Sequence, residues 1–415
     1  MIKRFSKTVR KAIIGFKERR SPAEIFVALM ASSFIFYIIF YCIKGGAGIV
    51  DTFFLRCNDL FMDFFNSVRD ASQGAGVYTE RHVIYPPMAN LIYLIFSRFI
   101  PDAYNYTSFY DRLKWVDHPE AIFFICMLTL LMTVLLYALI HYFVKGKDML
   151  RFLVAFFGVF NLPVLYMIER GNMIVFCFIA MILYAFTYNS NSKVWREIGL
   201  ISLAFAFSLK LYPVIFGWFL LTDKRYKEAI RCAIYGLLML VIPSFFFGGP
   251  ACFIQIFKNI TSFSTGSANA LTIISSYLGI PMSILTLLAY AWCAVCGLCF
   301  AASPFVHKER WKSWMVGIIL IIVVPSLTSM YAWAFLLIPM IMIFNIGKLR
   351  EKEWFFFIIM VSLFVFTVMR FNFYLTFNAL LVYPFAAILS IPAVTDTVVS
   401  GVRKYKAYKN KDAEI

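Results

Sequence analysis

Residues 24–43 read EIFVALMASSFIFYIIFYCI, a run in which Glu24 is the one charged side chain. A helix of about 20 apolar residues crosses the roughly 30 Å hydrocarbon core of a membrane. Similar runs recur along the 415 residues, of which 62% are hydrophobic and 15% charged. A soluble domain needs far more polar surface than this composition supplies. The sequence therefore predicts an integral membrane protein.

The apolar runs are continuous rather than alternating, which favours helices over a β-barrel. We therefore expect an all-α polytopic fold. A basic segment, 1–23, precedes the first run, and no small-residue cleavage site follows it. These features predict an uncleaved signal anchor with a cytoplasmic N-terminus.

The net charge of +17 comes mainly from short basic clusters between apolar runs, a pattern typical of orienting loops and not of nucleic-acid binding. Seven clusters carry most of the Lys and Arg residues: 3–20, 145–151, 193–196, 224–231, 308–312, 348–352 and 403–411. The positive-inside rule places all seven in the cytoplasm, so an even number of crossings must separate neighbouring clusters. The tail 403–415 is then cytoplasmic, and the localisation that we expect is the plasma membrane.

This constraint gives about ten full spans plus one short re-entrant hairpin, about twelve membrane helices in a single domain, 24–402. The expected full spans lie near 25–43, 120–144, 150–168, 172–188, 229–248, 284–303, 313–329, 331–346, 353–369 and 376–397. Too few residues separate Arg196 from Lys224 for two full spans. We expect half-helices near 197–208 and 211–221, with Lys210 at the break; a single long span is the alternative.

A long first extracytoplasmic loop, 44–119, is the least apolar part of the chain. It contains NDLFMDFFNSVRDAS (58–72), in which Asp59 and Asp63 lie four residues apart on one helical face. A carboxylate at the membrane surface can act as a general base for a hydroxyl group, although most loop acids are simply solvated. The later run 83–100 is expected to be a membrane-lying or re-entrant helix.

Other polar residues fall on the same predicted side as this loop, including Glu169, Arg170, Asn172 and Tyr331. Lys210 approaches from the opposite side. Cys293, Cys296 and Cys299 lie within one apolar run with no histidine nearby, so packing is favoured over metal binding.

Four stretches, in order, resemble glycosyltransferase family 87 of the C superfamily of membrane glycosyltransferases, the polyprenol-phosphate-mannose-dependent type. They are MDFFNSVRDAS…GVY…IYPP (62–87), ERGN (169–172), SLKLYP (208–213) with the basic turn DKRYKEA (223–229), and PSLTSMYAW (325–333). The resemblance implies a GT-C-like fold. It also implies inverting transfer of a hexose, mannose-like by resemblance, from a polyprenyl-phosphate donor to an acceptor hydroxyl on the extracytoplasmic face.

The resemblance also implies roles for individual residues. The family's base carries over to Asp63, with Asp59 as the nearby alternative. The substrate-binding candidates are Tyr85, Glu169, Asn172, Tyr212 and Tyr331. Relatives often have a His or Tyr near the position of Tyr331. The stretch ERGN (169–172) departs from the small polar residues that are commoner at this point in the family.

Loss of a phosphate leaving group builds negative charge that fixed cations stabilise. The candidates are Lys210, Arg170 and Arg370. Each of two candidates also has a structural alternative. Lys210 could extend its side chain to the membrane interface, and Arg370 could anchor a span at the interface. No DxD motif or glycine-rich phosphate loop is visible, so we expect no metal and no cofactor beyond the lipid-linked donor. The expected partners are membrane lipids, the donor and a glycan or glycolipid acceptor.

Two alternatives remain from the sequence. A lipid or sugar transporter or flippase would place ionisable residues near the midplane and show internal repeats. A glycan ligase or polymerase that uses a lipid-diphosphate donor would require more basic residues in a large outer loop.

Overall fold

The computed structural model describes residues 21–53, 61–100, 118–266, 275–276, 278–323, 330–365, 370–372 and 375–412. Within these residues the chain is almost entirely helical. The first helices are α1 (Pro22–Phe53), α2 (Met62–Ser72), α3 (Gly76–Thr79), α4 (Pro87–Phe96), α5 (Pro119–Phe143), α6 (Asp148–Val159), α7 (Leu162–Arg170), α8 (Ile174–Thr187) and α9 (Lys193–Leu209). They are followed by α10 (Trp218–Thr222), α11 (Tyr226–Ser244), α12 (Cys252–Gly266), α13 (Met282–Val306), α14 (Arg310–Val323), α15 (Leu337–Ile346), α16 (Glu351–Ser362) and α17 (Phe377–Asp412). Short 3-10 helices cover Ser97–Phe99, Tyr212–Gly217, Phe245–Phe247 and Met330–Leu336.

Four segments of the described chain are helices long and apolar enough to cross a membrane: Pro22–Ile43, Pro119–Phe143, Tyr226–Phe247 and Met282–Val306. Helices α6 and α7 together could form a fifth span, bent by 48°. Shorter apolar helices occupy Ile174–Thr187, Tyr212–Thr222 and Tyr331–Ile346. The membrane-protein class is thus supported, whereas the total of about twelve membrane helices stays a prediction.

The bend between α6 and α7 is built by Asn161. Its amide donates to the carbonyls of Phe157 and Gly158 at 3.0 and 2.8 Å, and its oxygen accepts from the Val164 nitrogen at 3.2 Å. One side chain therefore caps the end of α6 and the start of α7. Pro163, in the first turn of α7, lacks an N–H group and suits that position.

One small departure from the all-α prediction lies near the C-terminus. Strands β1 (Arg370–Asn372) and β2 (Leu375–Thr376) form a short antiparallel ladder that pairs Arg370 with Thr376. The sequence analysis placed Arg370 beside a helical span and did not predict a strand. Such a short ladder gives no periodic hydrophobic signal.

Five of the basic clusters in the described part of the chain, 145–151, 193–196, 224–231, 308–312 and 348–352, meet at one end of the helical bundle, which we call the basic end. Arg310 bonds to Asp223, Arg350 to Glu309, and Arg231 to Glu197. At the same end, Asn345 accepts a 2.8 Å bond from the Lys145 backbone nitrogen. The number of membrane crossings between neighbouring clusters stays a prediction.

Residues 193–222 form the hairpin predicted between two of these clusters. Helix α9 starts beside Ser190, to which Arg196 is bonded, and rises by about 25 Å to Leu209. After Lys210 the chain returns, and Asp223 accepts a 3.3 Å bond from the Tyr188 hydroxyl, close to the start of α9. Both ends of the hairpin lie at the basic end, so the alternative of one long span is wrong. Lys210 lies at its apex.

We predict that Gly199→Ala destabilises the protein, because α9 packs on the end of α8 at this glycine. An added Cβ would lie 2.7 Å from the Thr187 hydroxyl and 2.8 Å from the Tyr188 nitrogen. Overpacking of this kind costs about 1–3 kcal/mol. The matched control is Gly297→Ala in α13, where nothing lies within 4 Å of the added carbon. The melting temperature in nanodiscs should fall for the first variant only; equal melting temperatures would contradict this packing.

Candidate active site

The start of α2 is fixed to the end of α7. Phe61 has a left-handed backbone (φ 57°), and its nitrogen donates to the Glu169 carbonyl at 2.7 Å. This contact places Asp63, in the first turn of α2, beside the turn that follows α7. A carboxylate is favoured in the first turn of a helix, where free backbone N–H groups point toward it.

Asp63 is bound by two side chains of the ERGN turn. Arg170 forms an ion pair with its Oδ1, and the Arg170 Nε donates to the same oxygen at 3.1 Å. The Asn172 amide donates to Oδ2 at 2.8 Å. The carboxylate side chain is 23% exposed, so it is oriented but still accessible.

Gly171, between these two residues, allows the close approach. It ends α7 with a left-handed backbone (φ 61°), and a Cβ at this position would lie 2.8 Å from the Cβ of Phe64. The left-handed conformation and the lack of space both favour glycine here. This explains the glycine of ERGN, which brings Arg170 and Asn172 to opposite sides of the same carboxylate.

Tyr85 links this carboxylate to the hairpin. The Asn172 amide also donates to the Tyr85 hydroxyl at 3.1 Å, and the Lys210 Nζ lies 4.1 Å from the centre of the Tyr85 ring. Burial, together with the charge of Asp63, raises the pKa of Tyr85, so its phenol stays protonated. The Asp63 carboxylate and the Lys210 ammonium group therefore both lie close to Tyr85.

Lys210 has no carboxylate partner in the described part of the chain; its cation contact is the face of Tyr85. The side chain is half-buried at the end of α9. A cation in this setting is costly unless an anion or polar group meets it. The arrangement leaves positive charge available for an anionic ligand.

Aromatic residues complete the site. Tyr331 stacks on Tyr166 with ring centres 5.9 Å apart and lies within electrostatic range of Lys210 and Asp63. Tyr212 packs edge-on against Phe335 at 6.0 Å. Its buried hydroxyl lies beside the Cys177 thiol, and no nitrogen or oxygen of the described residues bonds to it.

Most of the residues predicted from sequence are therefore brought together. They are Asp63, Tyr85, Arg170, Asn172, Lys210, Tyr212 and Tyr331. Glu169 is 4% exposed, and its backbone carbonyl positions α2. Asp59 lies outside the described residues, as does the side chain of Arg370.

Three supporting residues, Tyr78, Asn90 and Tyr93, were not predicted from the sequence. The Tyr93 hydroxyl accepts a 3.1 Å bond from the Met173 nitrogen, just after the ERGN turn. Asn90 donates to the Tyr78 hydroxyl at 2.9 Å, and that hydroxyl donates to the Tyr85 carbonyl at 3.1 Å. Asn90 stands alone as an amide in the apolar run 87–96, and that isolation is a signal that could have identified it.

An apolar groove runs along the hairpin that carries Lys210. It has a volume of about 1000 Å³ and lies between α9, the returning segment 212–221 and α11, with Phe300 and Ala301 of α13 at its side. Phe207 and Val214, on either side of the apex, are among its lining residues. Lys210 lies between these two residues in the chain but is not itself among the lining residues.

No group of three His, Cys, Asp or Glu side chains within the described ranges is arranged to hold a metal ion. The Cys293 thiol bonds to the Val323 carbonyl at 3.2 Å, and Cys296 and Cys299 are buried. These contacts agree with the packing role expected for the three cysteines.

Comparison with known proteins supports the resemblance found in the sequence. The model of glycosyltransferase family 87 matches residues 84–335, more than half of the chain. The matched segment includes Tyr85, Arg170, Asn172, Lys210 and Tyr331, and it begins after Asp63. No curated protein and no solved structure gives a match. The chain belongs to glycosyltransferase family 87.

Proposed function

We propose that this glycosyltransferase moves a hexose, mannose-like by family resemblance, from a polyprenyl-phosphate donor to an acceptor hydroxyl, with inversion at the anomeric carbon. The observation that carries the proposal is the ammonium group of Lys210. It has no described carboxylate partner and lies over the ring of Tyr85, whose hydroxyl shares the Asn172 amide with the Asp63 carboxylate. A cation and a base close to the same residue suit displacement of a phosphate by a hydroxyl group. Family membership also favours an enzyme over the transporter alternative.

In the proposed step, the acceptor oxygen bonds to the anomeric carbon while the bond from that carbon to the phosphate oxygen breaks. The hydroxyl proton passes to Asp63. Its Oδ2 accepts one hydrogen bond among the described residues, and a carboxylate oxygen has two lone pairs, so one is left for the acceptor. The leaving polyprenyl phosphate keeps the electron pair, and Lys210 stabilises its charge. Arg170 adds positive charge and orients the base.

The lipid part of the donor is proposed to occupy the apolar groove beside the hairpin. Its volume of about 1000 Å³ and its position next to the apex support this placement. We place the site on the extracytoplasmic face of the plasma membrane and the basic end, with both termini, in the cytoplasm, because the basic clusters meet at the opposite end of the bundle. A single phosphate is favoured over a diphosphate because Lys210 is the one described lysine at the apex.

We predict that Asp63→Asn abolishes transfer, because the amide cannot accept the hydroxyl proton. The rate should fall by at least about a hundredfold. The assay is release of polyprenyl phosphate by purified protein in nanodiscs supplied with polyprenyl-phosphate mannose and an alkyl mannoside. The matched control is Asp148→Asn, because Asp148 also lies in the first turn of a helix and pairs with an arginine, Arg151, at 2.9 Å. It should keep full activity.

Asp59→Asn, measured in parallel, distinguishes the two candidate bases. If it stops transfer while Asp63→Asn remains active and folded, the base is Asp59 and the assignment made here is wrong. That result would change the identity of the base but not the proposed reaction, transfer of a hexose from a polyprenyl-phosphate donor.

Lys210→Met should lower the transfer rate by about a hundredfold or more, since one group that stabilises developing charge is lost. It should not lower the melting temperature, because no described carboxylate depends on it. Lys312→Met is the contrast: Lys312 is buried and bonded to Asp396 at 2.9 Å and to Glu353 at 3.4 Å. Losing it leaves the buried Glu353 and the partly exposed Asp396 without this cation and should cost about 3 kcal/mol of stability. Equal melting temperatures for the two variants, or full activity of Lys210→Met, would contradict this role.

Metal-independent chemistry is part of the proposal, since a lipid-linked donor has no nucleotide diphosphate for a metal to bind. Activity should be unchanged after exhaustive treatment with EDTA. A loss of activity that Mg²⁺ or Mn²⁺ restores would refute this point.

A further inference from the structure

A second cavity, of about 490 Å³, lies between α3 and the start of α12, close to the candidate active site. Its walls are the segments 75–80, 247–248 and 251–255. This volume falls within the range of small-molecule sites, about 300–1000 Å³. The mechanism proposed above does not use it.

Asn259 holds the two walls of this cavity together. Its amide donates to the Tyr78 and Val83 carbonyls at 2.9 and 3.0 Å, and its oxygen accepts from the Gln255 amide at 3.0 Å. The side chain is 5% exposed, so these bonds are shielded from solvent. The cavity is therefore a rigid, preformed feature of this end of the bundle.

Tyr78 connects the cavity to the reacting groups. It lines the cavity, and its hydroxyl bonds to the Tyr85 carbonyl at 3.1 Å. The Tyr85 hydroxyl in turn accepts from Asn172, which bonds Asp63. Tyr85 thus joins the two places, with its backbone carbonyl on the cavity side and its hydroxyl beside the proposed base.

Small residues create the space. Ala75, Gly76, Gly248 and Ala251 line the cavity, and Gly248 has a left-handed backbone (φ 90°) that favours glycine. The Glu80 carboxyl group lies over Gly76, where an added Cβ would be 3.1 Å from it. Hence the glycine permits a carboxylate to rest against this wall.

The polar lining suits a neutral ligand that is rich in hydroxyl groups. Glu80 and Thr79 are exposed and Gln255 is partly buried, and together they offer a carboxylate, a hydroxyl group and an amide. A carboxylate accepts strong hydrogen bonds from hydroxyl donors and repels a phosphate. The cavity therefore differs from the apolar groove and from the cationic surroundings of Lys210.

We propose that this cavity binds the carbohydrate head of the acceptor, with Glu80 accepting hydrogen bonds from its hydroxyl groups. The proposal rests on the transfer reaction proposed above and adds the place where the acceptor's carbohydrate binds. Donor and acceptor then enter from different sides of the loop that carries Tyr85, and an anionic donor is kept out of the acceptor site.

Two substitutions test this assignment in nanodiscs with polyprenyl-phosphate mannose as donor and octyl mannoside as acceptor. Glu80→Gln removes the charge at constant shape, and Ala251→Phe fills the cavity. We expect the KM for octyl mannoside to rise roughly tenfold in each variant, the loss typical of one charged hydrogen bond, with the KM for the donor unchanged. The matched control is Glu120→Gln, an exposed acid at the start of α5 outside the cavity. It should leave both constants unchanged.

Binding of a radiolabelled octyl mannoside to each variant, measured without donor, gives a readout that does not depend on turnover. Wild-type protein that releases no polyprenyl phosphate would refute the transfer reaction itself. Wild-type transfer with an unchanged acceptor KM and unchanged binding in both folded variants would refute the acceptor site alone. Equal rises in donor and acceptor KM would also refute it, because they indicate general damage to the site.

Discussion

The Asp63 carboxylate joins the first loop to the helical bundle through Arg170 and Asn172. Both partners lie on the turn between α7 and α8, and the glycine between them lets that turn approach α2 to van der Waals contact. Polar groups in an apolar bundle need partners, because bilayer lipid supplies none. Asp63, Arg170 and Asn172 satisfy one another, and the geometry of this contact sets the positions of the other site residues.

The second constraint is the return of the chain at Lys210. The ends of helices α7 and α9, together with Tyr331, lie at one end of the bundle, while the described basic clusters meet at the other end. Residues that are far apart in sequence, such as Asp63 and Lys210, therefore meet through the reversals of the chain. At the basic end, the buried Lys312 of α14 pairs with Asp396 and so joins α14 to α17.

Sequence alone identified much of this arrangement. ERGN, SLKLYP and IYPP each place polar residues next to apolar runs, and the charge clusters required a hairpin whose break at Lys210 is now observed. The pairing of Asp63 with Arg170 and Asn172 could not be predicted, since it depends on how α2 packs against the end of α7. The bonds from Asn259 to the 78–83 loop join residues far apart in the chain and leave no local pattern. The strand at Arg370 is too short to produce one.

The central claim is that an anionic sugar carrier occupies the space between Asp63 and Lys210, and a structure in nanodiscs with a polyprenyl-phosphonate mannose analogue tests it most directly. A phosphonate oxygen should lie about 3 Å from the Lys210 Nζ, with the anomeric carbon facing Asp63 and the prenyl chain in the groove along α9. A phosphonate group bound at the basic end beside Arg310, or one that makes no contact with Lys210, would contradict the account.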